Sequence, residues 1–164
     1  MVVASLSTGR AFGDPLDRLQ RIADAVETLD ARLLVTTGPA DPQALRLGAN
    51  AAAVAFADHR GLMARAALSI NHAGHGTVCA ALQAGVPIFA MPNPAADQPY
   101  LANRIVELGV GERLERDAGV EEIRHGVGHL LSEPGYAIEA GRLRDAIAAA
   151  PGVAGAAGWL EGHL

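Results

Sequence analysis

The chain has 164 residues, half of them apolar and only 4% aromatic, with a formal net charge of −5 at neutral pH. That length suits one domain with a true core and is short for two, and the scattered Lys and Arg residues exclude a basic stripe for nucleic acid or an anionic membrane. The single cysteine, Cys79, excludes an internal disulfide; with no charged apolar leader at residues 1–6 and no run of spanning length, a cytoplasmic protein is expected.

Residues 2–6 form a short apolar run that ends in the turn signal Ser7-Thr8-Gly9. Residues 15–29 place Leu16, Leu19, Ile22, Ala23, Val26 and Leu29 at helical spacing, with Asp14 available as an N-cap. A second strand is predicted over 32–37, closed by Gly38-Pro39, and a third over 51–56. Residues 62–66 suit one or two helical turns. The fourth strand, 68–71, leads into His72-Ala73-Gly74-His75-Gly76-Thr77. A helix then begins near Thr77, covers 78–84 and stops at Gly85. Residues 86–91, bounded by Pro87 and Pro92, are the fifth strand. Residues 98–108 form a helix closed by Gly109, and 110–114 the sixth strand. Helices are predicted over 120–131, over 136–150 and near Trp159, with the Ala/Gly-rich stretch 148–158 as a loop between the last two.

Strands alternating with helices through short loops imply a parallel sheet with right-handed crossovers. The expected fold is α/β: a single Rossmann-like domain over 1–164, with a six-stranded parallel sheet flanked by helices in the order 3-2-1-4-5-6.

Residues 68–111 carry the most chemistry. A helix beginning after His72, Gly74 and Gly76 offers free N–H groups and a partial positive charge, and glycine lets a bulky anion approach them. Thr77 adds a hydroxyl donor and His72 an imidazole N–H. Glycine also marks any tight strand-to-helix turn, so the pair alone is weak. The dinucleotide fingerprint is absent after the first strand, which argues against a dehydrogenase. Asp97-Gln98 follow the fifth strand and can accept from and donate to neighbouring sugar hydroxyls; the simpler reading makes Asp97 an N-cap.

The order of these pieces is what identifies them. The stretch HAGHGTVCAALQAGVPIFAMPNPAADQPYLANRIVELGVG resembles the donor-binding signature of family 1 glycosyltransferases, most of all the bacterial natural-product branch that glycosylates macrolides, enediynes and other antibiotics. His72, Gly74, Gly76, Thr77, Gly85-Val86-Pro87, Pro92, Asp97-Gln98 and Gly109-Val110-Gly111 occur in the signature's order. The resemblance implies the C-terminal half of a GT-B fold, binding UDP- or TDP-sugar without a metal. It assigns His72 and residues 74–77, His75 included, to the diphosphate, with Ser7 and Thr8 approaching from the first strand. Asp97 and Gln98 fall to the transferred hexose or deoxyhexose. Phe56 stands where many relatives have a tryptophan on the base, and His59 where many have a glutamine near the ribose. Phe56 can still stack, and equally suits a buried strand position. Leu101 replaces an asparagine common in relatives.

The implied reaction is inverting sugar transfer to a natural-product acceptor. Its general base belongs to the N-terminal half in the resembled family, so no catalytic residue is assigned to this chain. The implied partners are a nucleotide sugar and an acceptor-binding domain or subunit, and a weak homodimer is expected where that partner's surface is bare. The alternatives are a GT-B sugar-nucleotide epimerase fragment and a non-catalytic nucleotide-binding or regulatory domain. His125 and His129 share a helix face at metal-ligand spacing, but no third ligand is evident. Cys79 reads as a small buried helix residue, and Trp159 as packing a final helix onto the domain.

Overall fold

The computed structural model describes residues 1–6, 15–94 and 97–163. Asp14, the expected cap of the first helix, lies outside them.

The apolar runs form short strands, and their positions in the sheet match their composition. β1 (Val2–Ser5) and β4 (Leu68–Asn71) are buried at every residue, as strands covered on both faces must be. β2 (Leu33–Thr36) is nearly as buried. β3 (Ala51–Val54) alternates half-buried and exposed residues, as an edge strand does. β5 (Ile88–Ala90) and β6 (Gly111–Arg113) complete a six-stranded sheet of order β3-β2-β1-β4-β5-β6. All its pairings are parallel, and the order is the one expected from the sequence.

Among the described residues seven α-helices accompany the sheet: α1 (Leu16–Val26), α2 (His59–Met63), α3 (His75–Ala84), α4 (Gln98–Glu107), α5 (Val120–Ser132), α6 (Pro134–Ala149) and α7 (Gly152–Glu161). Because strand side chains alternate, neighbouring residues feed two separate cores. Val2, Ala4, Leu68, Ile70 and Phe89 join Leu19, Ile22 and Val26 of α1 and Ile123 and Val127 of α5. On the other face Val3, Ile88 and Ala90 join Met63, Val78, Ala81, Ile105 and Ala140 from α2, α3, α4 and α6. Full burial of a side chain such as Phe89 contributes about 1.5–3 kcal/mol. Among the described residues, no helix is long and apolar enough to cross a membrane.

Several local expectations are corrected. α2 begins at His59 rather than Leu62, because the Asp58 carboxylate accepts the Arg60 and Gly61 N–H groups, both at 3.1 Å. Residues 148–158 are not a loop: α6 runs to Ala149, Pro151 interrupts it, and α7 resumes at Gly152. Ala156 and Ala157 offset the helix cost of Gly155 and Gly158, which periodicity alone does not reveal. Trp159 does not pack onto the domain; it is 62% exposed and stacks on His163 of its own segment at 4.3 Å. Cys79 is exposed rather than buried, since α3 turns Val78 and Ala81 inward instead.

The glycines that end the 72–111 stretch are structural. Gly109 takes φ +66° to turn α4 into β6. A Cβ on Gly111 would lie 1.8 Å from the Ile88 carbonyl oxygen, its partner position on β5. Gly111→Ala therefore forces β5 and β6 apart. We expect it to lower stability by about 3 kcal/mol, the upper end for overpacking. Urea unfolding should show a lower midpoint at unchanged slope; an unchanged midpoint would contradict the close strand approach.

Candidate functional site

β1 pairs with β2 on one side and β4 on the other, so the connections leaving its two neighbours run to opposite sides of the sheet. Ligands of open α/β sheets sit at the carboxyl edge beside such a switch point. The turn that leaves β4 there is built from its last residue. Asn71 is fully buried; its Oδ1 accepts the Ala73 N–H at 2.8 Å and its amide donates to Ser69 Oγ at 3.0 Å. This holds Ala73 at φ +59°, a left-handed conformation that disfavours a non-glycine residue by about 1–2 kcal/mol. The reversal folds the His72 ring over Gly74, where a Cβ would stand 2.5 Å from Nε2. Gly74 is thus required for close approach.

Gly74 is also the N-cap of α3, with no side-chain cap. The helix starts at His75, two residues before the expected start near Thr77. Val78 N–H is the first to bond back into the turn, to the Gly74 carbonyl at 3.0 Å. The amides of His75, Gly76 and Thr77 precede it and have no intrahelical acceptor. A Cβ on Gly76 would meet nothing within 4 Å, so this face of the turn is open. Thr77 is buried and the His75 side chain exposed.

His72 Nδ1 is buried and has no hydrogen-bond partner among the described residues. Burial holds the imidazole pKa below its ordinary 6.5, and the Arg18 charge pushes the same way. The Ser5 backbone and the Asp97 charge oppose this less strongly. His72 is therefore neutral at neutral pH.

Asp97 occupies the N-cap position of α4 but makes no capping bond. Its carboxylate instead meets His75 Nδ1 at 2.5 Å, which joins the start of α4 to the start of α3. Gln98, next in sequence, is buried: its Oε1 accepts from both the backbone N–H and the side-chain amide of Asn93, each at 3.0 Å. His59 opens α2 and lies 3.2 Å from Ser5 Oγ, which accepts from Thr36 Oγ1 at 2.8 Å. Phe56 follows the end of β3 and is 69% exposed, so the buried-strand reading is wrong; β3 stops two residues short of it. Ser7 and Thr8 lie outside the described residues.

Sequence reasoning missed Arg18. It sits on α1 at 5% exposure, donating to the Met91 carbonyl at 3.1 Å and to Asn93 Oδ1 at 3.0 Å. Burial, then Arg116 and Arg21, push its pKa down to about 10, which leaves it cationic at neutral pH. The available signal was its spacing: four residues before Ile22, an arginine stands on the apolar stripe of an amphipathic helix.

His129 Nδ1 meets Glu112 Oε1 at 2.6 Å, Tyr136 OH donates to the same oxygen at 2.9 Å, and the His125 ring stacks on His129. Among the described residues, no cluster of three or more His, Cys, Asp or Glu side chains is placed to hold a metal.

The sequence pattern of the family described as "Erythromycin biosynthesis protein CIII-like, C-terminal domain" matches residues 20–161. The vancomycin aglycone glucosyltransferase of Amycolatopsis orientalis is 38% identical over 101 residues, 62% of this chain and 25% of the relative. Among solved structures, a calicheamicin glycosyltransferase superposes with TM-score 0.89 at 26% identity, covering 99% of this chain and 43% of its own. The glycosyltransferase VinC, solved in complex with DTDP, gives TM-score 0.78 at 26% identity, covering 90% of this chain and 37% of its own. The chain thus spans between a quarter and under half of each of these relatives.

The lowered pKa of His72 makes a stability statement. Between its folded and ordinary pKa the unfolded chain binds more protons, so stability rises with pH there. This component is complete above pH 6.5 and is lost as pH falls through the folded pKa. Unfolding free energies measured across this range should drop less steeply toward acid in His72→Gln than in the wild type. Parallel pH profiles would contradict the neutral, buried imidazole.

Proposed function

The chain belongs to the erythromycin biosynthesis protein CIII-like C-terminal domain family of glycosyltransferases, and from this premise we propose that it is the donor-binding half of an inverting enzyme that transfers a hexose or deoxyhexose to a natural-product acceptor. One observation carries the reading. The 2.5 Å contact between His75 and Asp97 brings the open amino end of α3, suited to a diphosphate, against the acid–amide pair suited to a sugar.

In this reading the diphosphate lies on the amides of residues 75–77, with His72 as a further donor; Ser7 and Thr8, next after β1 in the sequence, are assigned to it by the resemblance alone. The sugar is held by Asp97 and Gln98. The exposed face of Phe56 stacks on the base, and His59 lies toward the ribose. The acceptor hydroxyl oxygen attacks the anomeric carbon while its bond to the diphosphate oxygen breaks. The electron pair leaves with the nucleoside diphosphate, and the hydroxyl proton passes to a general base. Helix-terminal amides stabilise the leaving group. The base and the acceptor pocket come from a second domain or partner subunit, so this chain binds donor without transferring sugar alone. Without that partner, weak self-association through the bare surface follows, and the unpaired Cys79 fits a cytoplasmic setting. The epimerase and regulatory alternatives gain no support from the relatives above.

We expect UDP or TDP to bind this chain in EDTA, without a divalent metal. His72→Ala removes one hydrogen bond to a charged group and should weaken binding by roughly 1.5–3 kcal/mol, about tenfold or more in affinity. Asp97→Ala should leave the bare nucleotides nearly unaffected and weaken their glucose conjugates. Calorimetry with all four ligands, in EDTA and then magnesium, checks this. Binding that appears only with magnesium, or is lost for the bare nucleotide in Asp97→Ala, overturns the assignment.

A further inference from the structure

The polar groups behind the sugar-side pair form a chain whose direction is fixed from its root. Arg18 has only N–H donors, so the Asn93 atom it meets at 3.0 Å is the acceptor Oδ1. That orients the Asn93 amide nitrogen toward Gln98, where it donates to Oε1 at 3.0 Å. The Asn93 backbone N–H donates to the same Oε1, also at 3.0 Å, and a backbone N–H accepts nothing. Both ends therefore agree on which way the Gln98 amide faces. Its oxygen is turned inward and fully used. Its NH2 group makes no hydrogen bond among the described residues.

A glutamine on a helix N-terminus is ordinarily free to turn its amide over, donating or accepting as the neighbour demands. Here turning it would set two nitrogens against each other and leave the Asn93 backbone N–H without an acceptor. A buried polar group without a partner is strongly disfavoured, and Asn93 is fully buried. Arg18 cannot relax to suit, because its other nitrogen is held by the Met91 carbonyl at 3.1 Å. Neighbouring Asp97 is an acceptor. The pair is thus divided into one fixed donor and one acceptor.

We propose that Arg18 and Asn93 are positioning residues that lock Gln98 as a hydrogen-bond donor toward the transferred sugar, so that it takes a lone pair of a sugar hydroxyl while Asp97 takes a hydroxyl proton. The inference rests on the donor-binding reading above and deepens it. It assigns sugar discrimination to two residues that need not touch the sugar.

The test uses the whole chain, labelled with 15N, and three variants. In the wild type the Gln98 side-chain NH2 resonances should shift on adding TDP-glucose and not on adding TDP. Asn93→Ala removes the middle link and keeps the Arg18 charge. It takes away one of the two donors on Gln98 Oε1 and leaves the backbone N–H, so it should weaken TDP-glucose relative to TDP, by up to about tenfold, and shift the Gln98 side-chain resonances in the free protein. Arg18→Met should do the same to the ratio of the two affinities, whatever the lost charge does to both. Arg18→Lys, which keeps a donor and the charge, should restore the ratio in part. A purely structural role would lower both affinities together and leave the ratio unchanged, and that result overturns the proposal. So does a Gln98 signal in ligand-free Arg18→Met and Asn93→Ala that matches the wild type. If the wild type binds neither ligand, the donor-binding reading fails and the sugar-facing role falls with it. The ligand-free spectra then decide the relay on their own.

Discussion

The parallel pairing of β1 with both β2 and β4 is the constraint from which the site follows. A central strand flanked by two parallel neighbours needs crossovers on both faces, and right-handedness sends them to opposite sides. That splits the helices into the α1/α5 layer and the α2/α3/α4/α6 layer, each with its own apolar cluster. It also gathers the carboxyl ends of all six strands on one edge, where segments distant in sequence are brought within bonding distance. His59 reaches Ser5 across that edge, and His75 reaches Asp97.

Within that frame the turn after β4 is held by opposed demands. Asn71 ties down a left-handed Ala73, and the absence of a Cβ on Gly74 admits the His72 ring. The outcome is a helix amino end without a side-chain cap. Most helices satisfy those amides locally with a serine, threonine or aspartate. Here Gly74 offers no side chain, and Asp97 is bound to the His75 ring instead. Orphan amides that nothing local satisfies are what an anionic ligand exploits.

The buried arginine belongs to the same logic. Removing a guanidinium from water is expensive, and replacing such a group with an apolar one is often neutral or stabilising. Arg18 makes no ion pair with a described carboxylate, only hydrogen bonds to a carbonyl and an amide oxygen. Its place in the fold is therefore better understood through what it orients than through the stability it supplies. Its positive charge also reaches His72 and lowers the imidazole pKa in the same direction as burial does.

The strand order and the approximate positions of most helices were legible in the sequence because they rest on local signals. Apolar period, proline and glycine punctuation, and motif spacing are all properties of neighbouring residues. Helix starts depend on a cap or its absence, at Asp58 and at Gly74, which apolar period does not encode. Trp159 and Cys79 are exposed because residue type sets only a preference for burial, while the exposed face depends on what the helix packs against. Sequence alone also gave no reason to join Arg18 to Asn93 or His75 to Asp97. Those contacts span 75 and 22 positions respectively, and only the crossovers of the folded sheet make them neighbours. The polarity of Gln98 is likewise a tertiary property: the residue type permits either orientation, and the buried groups behind it permit one.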